Sequence, residues 1–256
     1  MIDILSLFQE SKVSGKNAVL CLITNTIGST PRKIGSKMLV YADGSIIGSI
    51  GGGKIEHLVI EDALKLMSFS ASKSIDYDLI EDAAMQCGGK VSLYFEPAQS
   101  PSKLYIFGAG HIGKVLSRYA NEFSFQVFLI DNRPEVMPEV KINGIHYLCG
   151  DYQELLSNLS FDSKTFVVAT THKHTHDEEI IAFCLQKPYA YLGMMASKRK
   201  AILAKKNWKE IKDLEIEKID KVFAPIGVPI HCETPEEISI SVLAQLIDFK
   251  NKLDEK

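Results

Sequence analysis

The sequence has few cysteines, and none is spaced to frame a zinc ribbon. Five occur, Cys21, Cys87, Cys149, Cys184 and Cys232. The number is odd and no two form a CxxC pair, so a disulfide framework is not expected and reduced thiols in a cytoplasmic protein fit better. A basic excess is also missing: 29 Lys and Arg stand against 32 Asp and Glu, a net charge of −3. Without surplus cations to neutralise phosphates, nucleic acid is not an expected partner. No apolar run approaches the roughly 18 residues that would span a bilayer, so no membrane partner is expected either. The first residues, MIDILSLFQESK, lack a basic n-region and read as a short amphipathic helix instead of a signal peptide. What is present is ordinary globular composition, 46% hydrophobic and 24% charged over 256 residues. That suits one large domain or two small ones.

The most legible stretch is Lys103 to Arg133, KLYIFGAGHIGKVLSRYANEFSFQVFLIDNR. It reads as strand, glycine turn, helix, strand and a terminal acidic residue. Gly108, Gly110 and Gly113 form GxGxxG between a strand (Leu104 to Phe107) and a helix (Lys114 to Asn121). Asp131 ends the next strand, Gln126 to Ile130, roughly 20 residues past Gly108, the separation of a dinucleotide-binding unit. There the first glycine permits the tight turn, the second admits a pyrophosphate, and the third lets helix and strand pack. Asp131 would then bind ribose hydroxyls, while Arg133 could accept a 2′-phosphate, leaving NAD and NADP both open.

The alternation continues with strands at Ile145 to Cys149, Phe166 to Ala169 and Ala190 to Leu192, separated by helical stretches. This predicts a parallel sheet with helices on both faces over residues 102–256. After the Phe166 strand comes Thr170-Thr171-His172-Lys173-His174-Thr175-His176-Asp177. Read as an extended loop, it turns its three histidines the same way, with Asp177 capping the next helix. A substrate or cofactor contact through His172 and His174 is favoured over a metal site, because no fourth ligand is evident. Thr234-Pro235-Glu236-Glu237 reads as a helix start, with Thr at the N-cap, Pro at N1 and Glu at N3.

Residues 1–98 read as a separate small α+β domain. Strands are expected at Ala18 to Thr24, Lys37 to Tyr41, Ser45 to Ile50, Ser74 to Leu79 and Lys90 to Phe95, with a helix from about Lys54 to Met67. Three of its loops can carry chemistry. Gly28-Ser29-Thr30-Pro31-Arg32-Lys33 offers hydroxyls and two cations to an anion, although solvated cations on a surface connection explain it as simply. Gly51-Gly52-Gly53 opens a helix, where free N–H groups and the helix dipole favour a phosphate; a flexible turn is the equal alternative. Cys87-Gly88-Gly89 leaves a sulfur uncrowded, as a soft-metal ligand or nucleophile requires; a cysteine without a role at a strand-entry turn is the alternative. Cys21, Cys149 and Cys184 fall in apolar strand or helix contexts and read as buried small hydrophobes.

Together, GSTPRKIGSKMLV (Gly28–Val40), GSIGGGKIE (Gly48–Glu56), QCGGKVSLYFE (Gln86–Glu96), FGAGHIG (Phe107–Gly113), DNRPE (Asp131–Glu135), THKHTHD (Thr171–Asp177) and PIGVPI with TPEEISISVLAQLI (Pro225–Ile247) resemble the XdhC/CoxI family. The resemblance covers about Ala18 to Phe249. It implies an accessory factor that binds molybdenum cofactor (molybdopterin), supports its sulfuration and delivers it to xanthine dehydrogenase or a related molybdenum hydroxylase. It further implies a homodimer, a cysteine desulfurase as partner, and a role for Cys87 in binding the cofactor. Some members carry two adjacent cysteines there; this chain has Gln86 before Cys87. To Cys87 the residues themselves add Gly88, Gly89, Arg32 and Gly51–Gly53 as candidates for molybdenum cofactor, and Gly108, Gly110, His111, Gly113, Asp131, Arg133, His172 and His174 as candidates for a site holding it or NAD(P) or another nucleotide. No catalytic residue is expected in such a maturation factor. The alternative is an NAD(P)-dependent oxidoreductase with His172 or His174 as proton donor.

Overall fold

The computed structural model describes residues 3–67, 72–81 and 88–254. They divide into two compact units, one up to Pro101 and one spanning Ser102–Asn251.

The first unit is an antiparallel five-stranded sheet. Its strands are β1 (Ala18–Gly28), β2 (Lys37–Tyr41), β3 (Ile46–Gly48), β4 (Lys73–Asp78) and β5 (Gly89–Pro97), in the order β3-β2-β1-β5-β4. Side chains alternate across the sheet, as the two-residue strand period demands. Val19, Cys21, Ile23, Met38, Val40, Leu93 and Phe95 face helix α2 (Lys54–Leu66) and bury its Ile55, Val59 and Ala63. Ala18, Leu20, Leu39 and Tyr41 face the other way, towards Phe8 of helix α1 (Ile4–Ser14). Strand β1 runs four residues beyond the expected Thr24. Pairing with β5 carries the polar Asn25 and Thr26 across a register shift at Ile23/Asn25 to the partners Gly28 and Gly89. Tertiary pairing overrides weak local strand preference here.

The second unit is a parallel sheet of β6 (Ser102–Phe107), β7 (Phe125–Asp131), β8 (Ile145–Cys149), β9 (Thr165–Ala169) and β10 (Tyr191–Met194). Its order, β10-β9-β6-β7-β8, reverses direction between β6 and β9. This is the doubly wound arrangement, and its switch point lies at the carboxyl ends of β6 and β9. The helices are α3 (His111–Ala120), α4 (Tyr152–Asn158), α5 (His174–Cys184), α6 (Lys198–Lys209), α7 (Ile216–Asp220) and α8 (Pro235–Asp254). Strands β6 and β9 are apolar on both faces (Leu104–Phe107 and Phe166–Ala169), as a sheet covered on both sides requires. Helix α8 starts with the expected box: Thr234 Oγ1 accepts from Glu237 N–H, and Glu237 accepts from the N–H groups of Thr234 and Glu233.

Cys21 and Cys184 are buried, but Cys149 is exposed, contrary to expectation. It ends β8, the edge strand of its sheet, where one side has no neighbour to cover it. No described helix is long and apolar enough to cross a membrane.

Candidate functional sites

In the first unit, two of the three glycine-bearing loops and the glycines of the third meet at one end of the sheet. Gly28 and Gly89 are paired across β1 and β5. A Cβ on Gly89 would lie 2.5 Å from the carbonyl oxygen of Ser29 and 2.9 Å from that of Ile27, so only glycine lets these backbones approach. A Cβ on Gly51 would lie 2.9 Å from Cγ of Pro31, which brings the triple-glycine turn against the same Ser29–Arg32 loop. Thr30, Pro31 and Arg32 pack over Ile50, Ile55 and Val91 and close over them without leaving an open cavity. Arg32 is exposed there, and Gly88 and Gly89 are partly buried beside it. Cys87 lies outside the described residues.

The triple-glycine turn differs from the open phosphate cradle expected of it. Glu56 Oε1 accepts from the N–H groups of Ile50 (3.1 Å), Gly51 (3.3 Å) and Gly52 (2.9 Å) and from the Ser49 hydroxyl (2.6 Å). Burial opposes ionisation of Glu56, but these four donors outweigh it and hold its carboxyl below the usual range. Glu56 is the third residue of α2 after its Gly53 N-cap, so its carboxylate also sits in the favourable field of the helix start. The amide cluster is built for an anion, and the chain supplies one.

In the second unit a carboxylate again takes an amide of the glycine turn, here together with an arginine. Asp131 is fully buried (0% exposed) and both its oxygens are engaged. Oδ2 accepts from the Ala109 N–H (2.7 Å) and from Arg133 Nη2 (3.0 Å); Oδ1 accepts from Arg133 N–H and Nε, each at 3.0 Å. Burial opposes its charge, yet Arg133 and the Ala109 amide keep its carboxyl below the ordinary range. Asp131 therefore clamps the glycine turn to the end of β7, and Arg133 is spent on Asp131. The ribose-binding role expected of Asp131 and the 2′-phosphate role expected of Arg133 both meet this pairing.

The three glycines of the turn are not equivalent. A Cβ on Gly108, at φ +112°, would lie 2.2 Å from the Thr170 carbonyl oxygen, and one on Gly113 would collide with the Gly108 carbonyl. At Gly110 a Cβ would meet nothing within 4 Å, and φ is −70°. The fold demands the first and third glycines and leaves the second free. His111 follows it as the exposed first residue of α3.

The histidine run does not form an extended loop. His174 and His176 lie in the first turn of α5, so they point to different sides of a helix. His172 precedes that helix and is exposed; slight desolvation and nearby Arg133 hold its pKa below the ordinary value. His174 is exposed, with Nδ1 3.5 Å from Asp177 Oδ2. The ring of His176 lies 5.9 Å from that of His172 and 5.4 Å from that of Tyr152. Asp177 is not the N-cap: from within the first turn it accepts from the Thr171 N–H at 2.7 Å. Among the described residues, no group of three His, Cys, Asp or Glu side chains is placed to hold a metal ion.

Sequence reasoning passed over Glu56, Asn132 and Tyr152, and gave Asp177 only a capping role. A signal existed for Glu56, an acid at N3 after a glycine run, the back half of a capping box. None existed for Tyr152, which is one aromatic at an ordinary helix start.

The XdhC and CoxI family model matches residues 12–78, and the XdhC Rossmann domain model matches residues 104–246. The chain is 32% identical to the Escherichia coli K12 protein YqeB over 235 residues, 90% of this chain and 43% of that protein. It is 26% identical to a probable xanthine dehydrogenase subunit from Bacillus subtilis 168 over 165 residues, 63% of this chain and 47% of that one. It is 31% identical to the molybdenum cofactor insertion chaperone PaoD of E. coli K12 over 98 residues, 37% and 31% of the two chains. The chain thus spans less than half the length of these relatives. In fold it is similar to a crystal structure described as a xanthine dehydrogenase from Bacillus halodurans, with a TM-score of 0.53 at 20% identity over 98% of this chain and 96% of that one.

Proposed function

Because the chain belongs to the XdhC and CoxI family, we propose that it is a maturation factor for molybdenum cofactor. It binds the cofactor, supports its sulfuration and inserts it into xanthine dehydrogenase or a related molybdenum hydroxylase in the cytoplasm. A cysteine desulfurase is the source of sulfur and the working form is a homodimer. The observation that carries this reading is the meeting of Ser29–Arg32, Gly51 and Gly88–Gly89 at one end of the antiparallel sheet. When bound, the cofactor brings a phosphate and a soft, sulfur-rich metal centre. Cys87, directly before Gly88, suits the soft end as a thiolate. The phosphate falls to Arg32, because the amides of Ile50–Gly52 already hold Glu56. Gly51 then serves by letting the turn lie against Pro31 of the Arg32 loop.

The Rossmann unit is read as the seat of a nucleotide, NAD(P) or another, with its pyrophosphate over Gly110. Support comes from Gly110 itself, a glycine that the fold does not need. An NAD(P)-dependent oxidoreductase has less support, since the family and a relative described as a molybdenum cofactor insertion chaperone favour cofactor handling. The test is reconstitution: the full chain, molybdenum cofactor and an apo molybdenum hydroxylase are mixed, and recovered hydroxylase activity is measured. Recovery that depends on the chain and falls with Cys87→Ala supports the proposal. Equal recovery with and without the chain overturns it.

A further inference from the structure

Among the described residues, three buried polar side-chain atoms make no hydrogen bond: Asn132 Oδ1, Tyr152 Oη and Asp177 Oδ2. All three belong to the carboxyl edge of the parallel sheet, one after β7, one opening α4 and one in the first turn of α5. Tyr152 is 5% exposed and Asp177 1%. The Tyr152 hydroxyl lies beside the Asn132 backbone without a hydrogen bond, within the fields of Asp131, Arg133 and Asp177. Asp177 Oδ2 makes no hydrogen bond and lies 3.5 Å from His174 Nδ1. Each such group destabilises the fold by roughly 1–3 kcal/mol, and unpaired polar groups gathered at a switch point call for an absent partner.

The same edge is joined to the glycine turn. Thr170 packs against Gly108, and the next residue, Thr171, donates to Asp177. From the Tyr152 ring, the rings of His176 and His172 form a row of rising exposure towards the surface. A ligand over Gly110 has Asp131 closed to it and these unpaired atoms within the same edge.

We infer that Tyr152 and Asp177, in place of Asp131, recognise the sugar hydroxyls of a nucleoside diphosphate whose pyrophosphate lies over Gly110. The sugar hydroxyl donates to Asp177 Oδ2 and accepts from the Tyr152 hydroxyl. The inference rests on the nucleotide reading above. Burial raises the pKa of Asp177, and a donated hydroxyl would favour its charged form.

Calorimetric titration of the full chain with ADP, GDP, CDP and UDP, and with their 2′,3′-dideoxy counterparts, tests it. Wild type should prefer the ribose form of at least one of them by about tenfold. Tyr152→Phe and Asp177→Asn should each remove that preference and leave dideoxy binding unchanged. The melting temperature of Tyr152→Phe should not fall, since it deletes a hydroxyl with no partner. A ribose preference that survives either substitution, or no preference in wild type, overturns the inference while the nucleotide reading stands. Binding that Gly110→Val leaves untouched, or no binding by wild type, overturns the nucleotide reading and the inference with it.

Discussion

The two units solve one problem with the same device. In each the chain caps amides of a glycine-rich turn with its own carboxylate: Glu56 takes three, from Ile50 to Gly52, and Asp131 takes one, from Ala109. They differ in what is left for a ligand. In the antiparallel unit Gly51 and Gly89 are required by neighbouring atoms. Their presence speaks of packing, and in the function proposed above the cofactor is held by side chains, Arg32 and Cys87. In the parallel unit Gly110 is required by nothing in the fold. A glycine-rich loop at a helix start therefore does not by itself denote a phosphate site; whether a Cβ would fit the fold separates the two cases.

The largest expected effect breaks the comparison at its glycines. Gly89→Ala should lower unfolding free energy by about 3 kcal/mol, because its Cβ would press on two backbone carbonyls. Gly110→Ala should stay within about 1 kcal/mol of wild type, the usual cost of alanine at a helix start. Urea denaturation of both variants decides it, and equal losses would erase the distinction.

The carboxylates sharpen it next. Asp131→Ala should cost about 2–3 kcal/mol, since it strands the Ala109 amide and a partly exposed Arg133. Glu56→Gln should cost about 1–2 kcal/mol through weaker acceptance from four donors. Both carboxyls titrate below their ordinary range in the folded chain. The stability they contribute is therefore present above about pH 4 and is lost as pH falls through their folded pKa values. The melting temperature of wild type should drop with acid more steeply than that of the double variant.

The smallest effect runs the other way. Burial raises the Asp177 carboxyl, with His174 of its own helix only partly offsetting it and Tyr152 of α4 facing it. Its contribution is present in acid and lost as pH rises through its folded pKa. Asp177→Asn should then raise the melting temperature at pH 7 by about 1–3 °C, a gain of under about 1 kcal/mol. The gain should shrink as pH is lowered towards 4. A loss at pH 7 would show that the ionised carboxylate is stabilising.

Much of this was legible in the residues. Strands Lys37–Tyr41 and Ile145–Cys149 fall where their apolar patterns place them, and the α8 capping box forms as spelled. The GxGxxG turn sits between strand and helix as its spacing requires. Two kinds of feature were hidden. The start of α5 was obscured by His174–Asp177, which has no apolar period and middling helix propensity. The meeting of the first unit's loops was hidden because Gly28 and Gly89 are brought together by strand pairing, which no local pattern encodes. The sequestered states of Asp131 and Glu56 were hidden for a related reason: a carboxylate's partners are a property of the turn's geometry, while its spacing is the same whether it faces a ribose or its own backbone.

In the proposed function, molybdenum cofactor belongs to the antiparallel unit and nucleotide to the parallel one. The most direct test is molybdenum content after the full chain is incubated with the cofactor and desalted, for wild type, Cys87→Ala and Gly110→Val. Wild type and Gly110→Val should retain molybdenum equally, and Cys87→Ala should lose most of it. Full retention by Cys87→Ala, or loss confined to Gly110→Val, would rule out this division between the units.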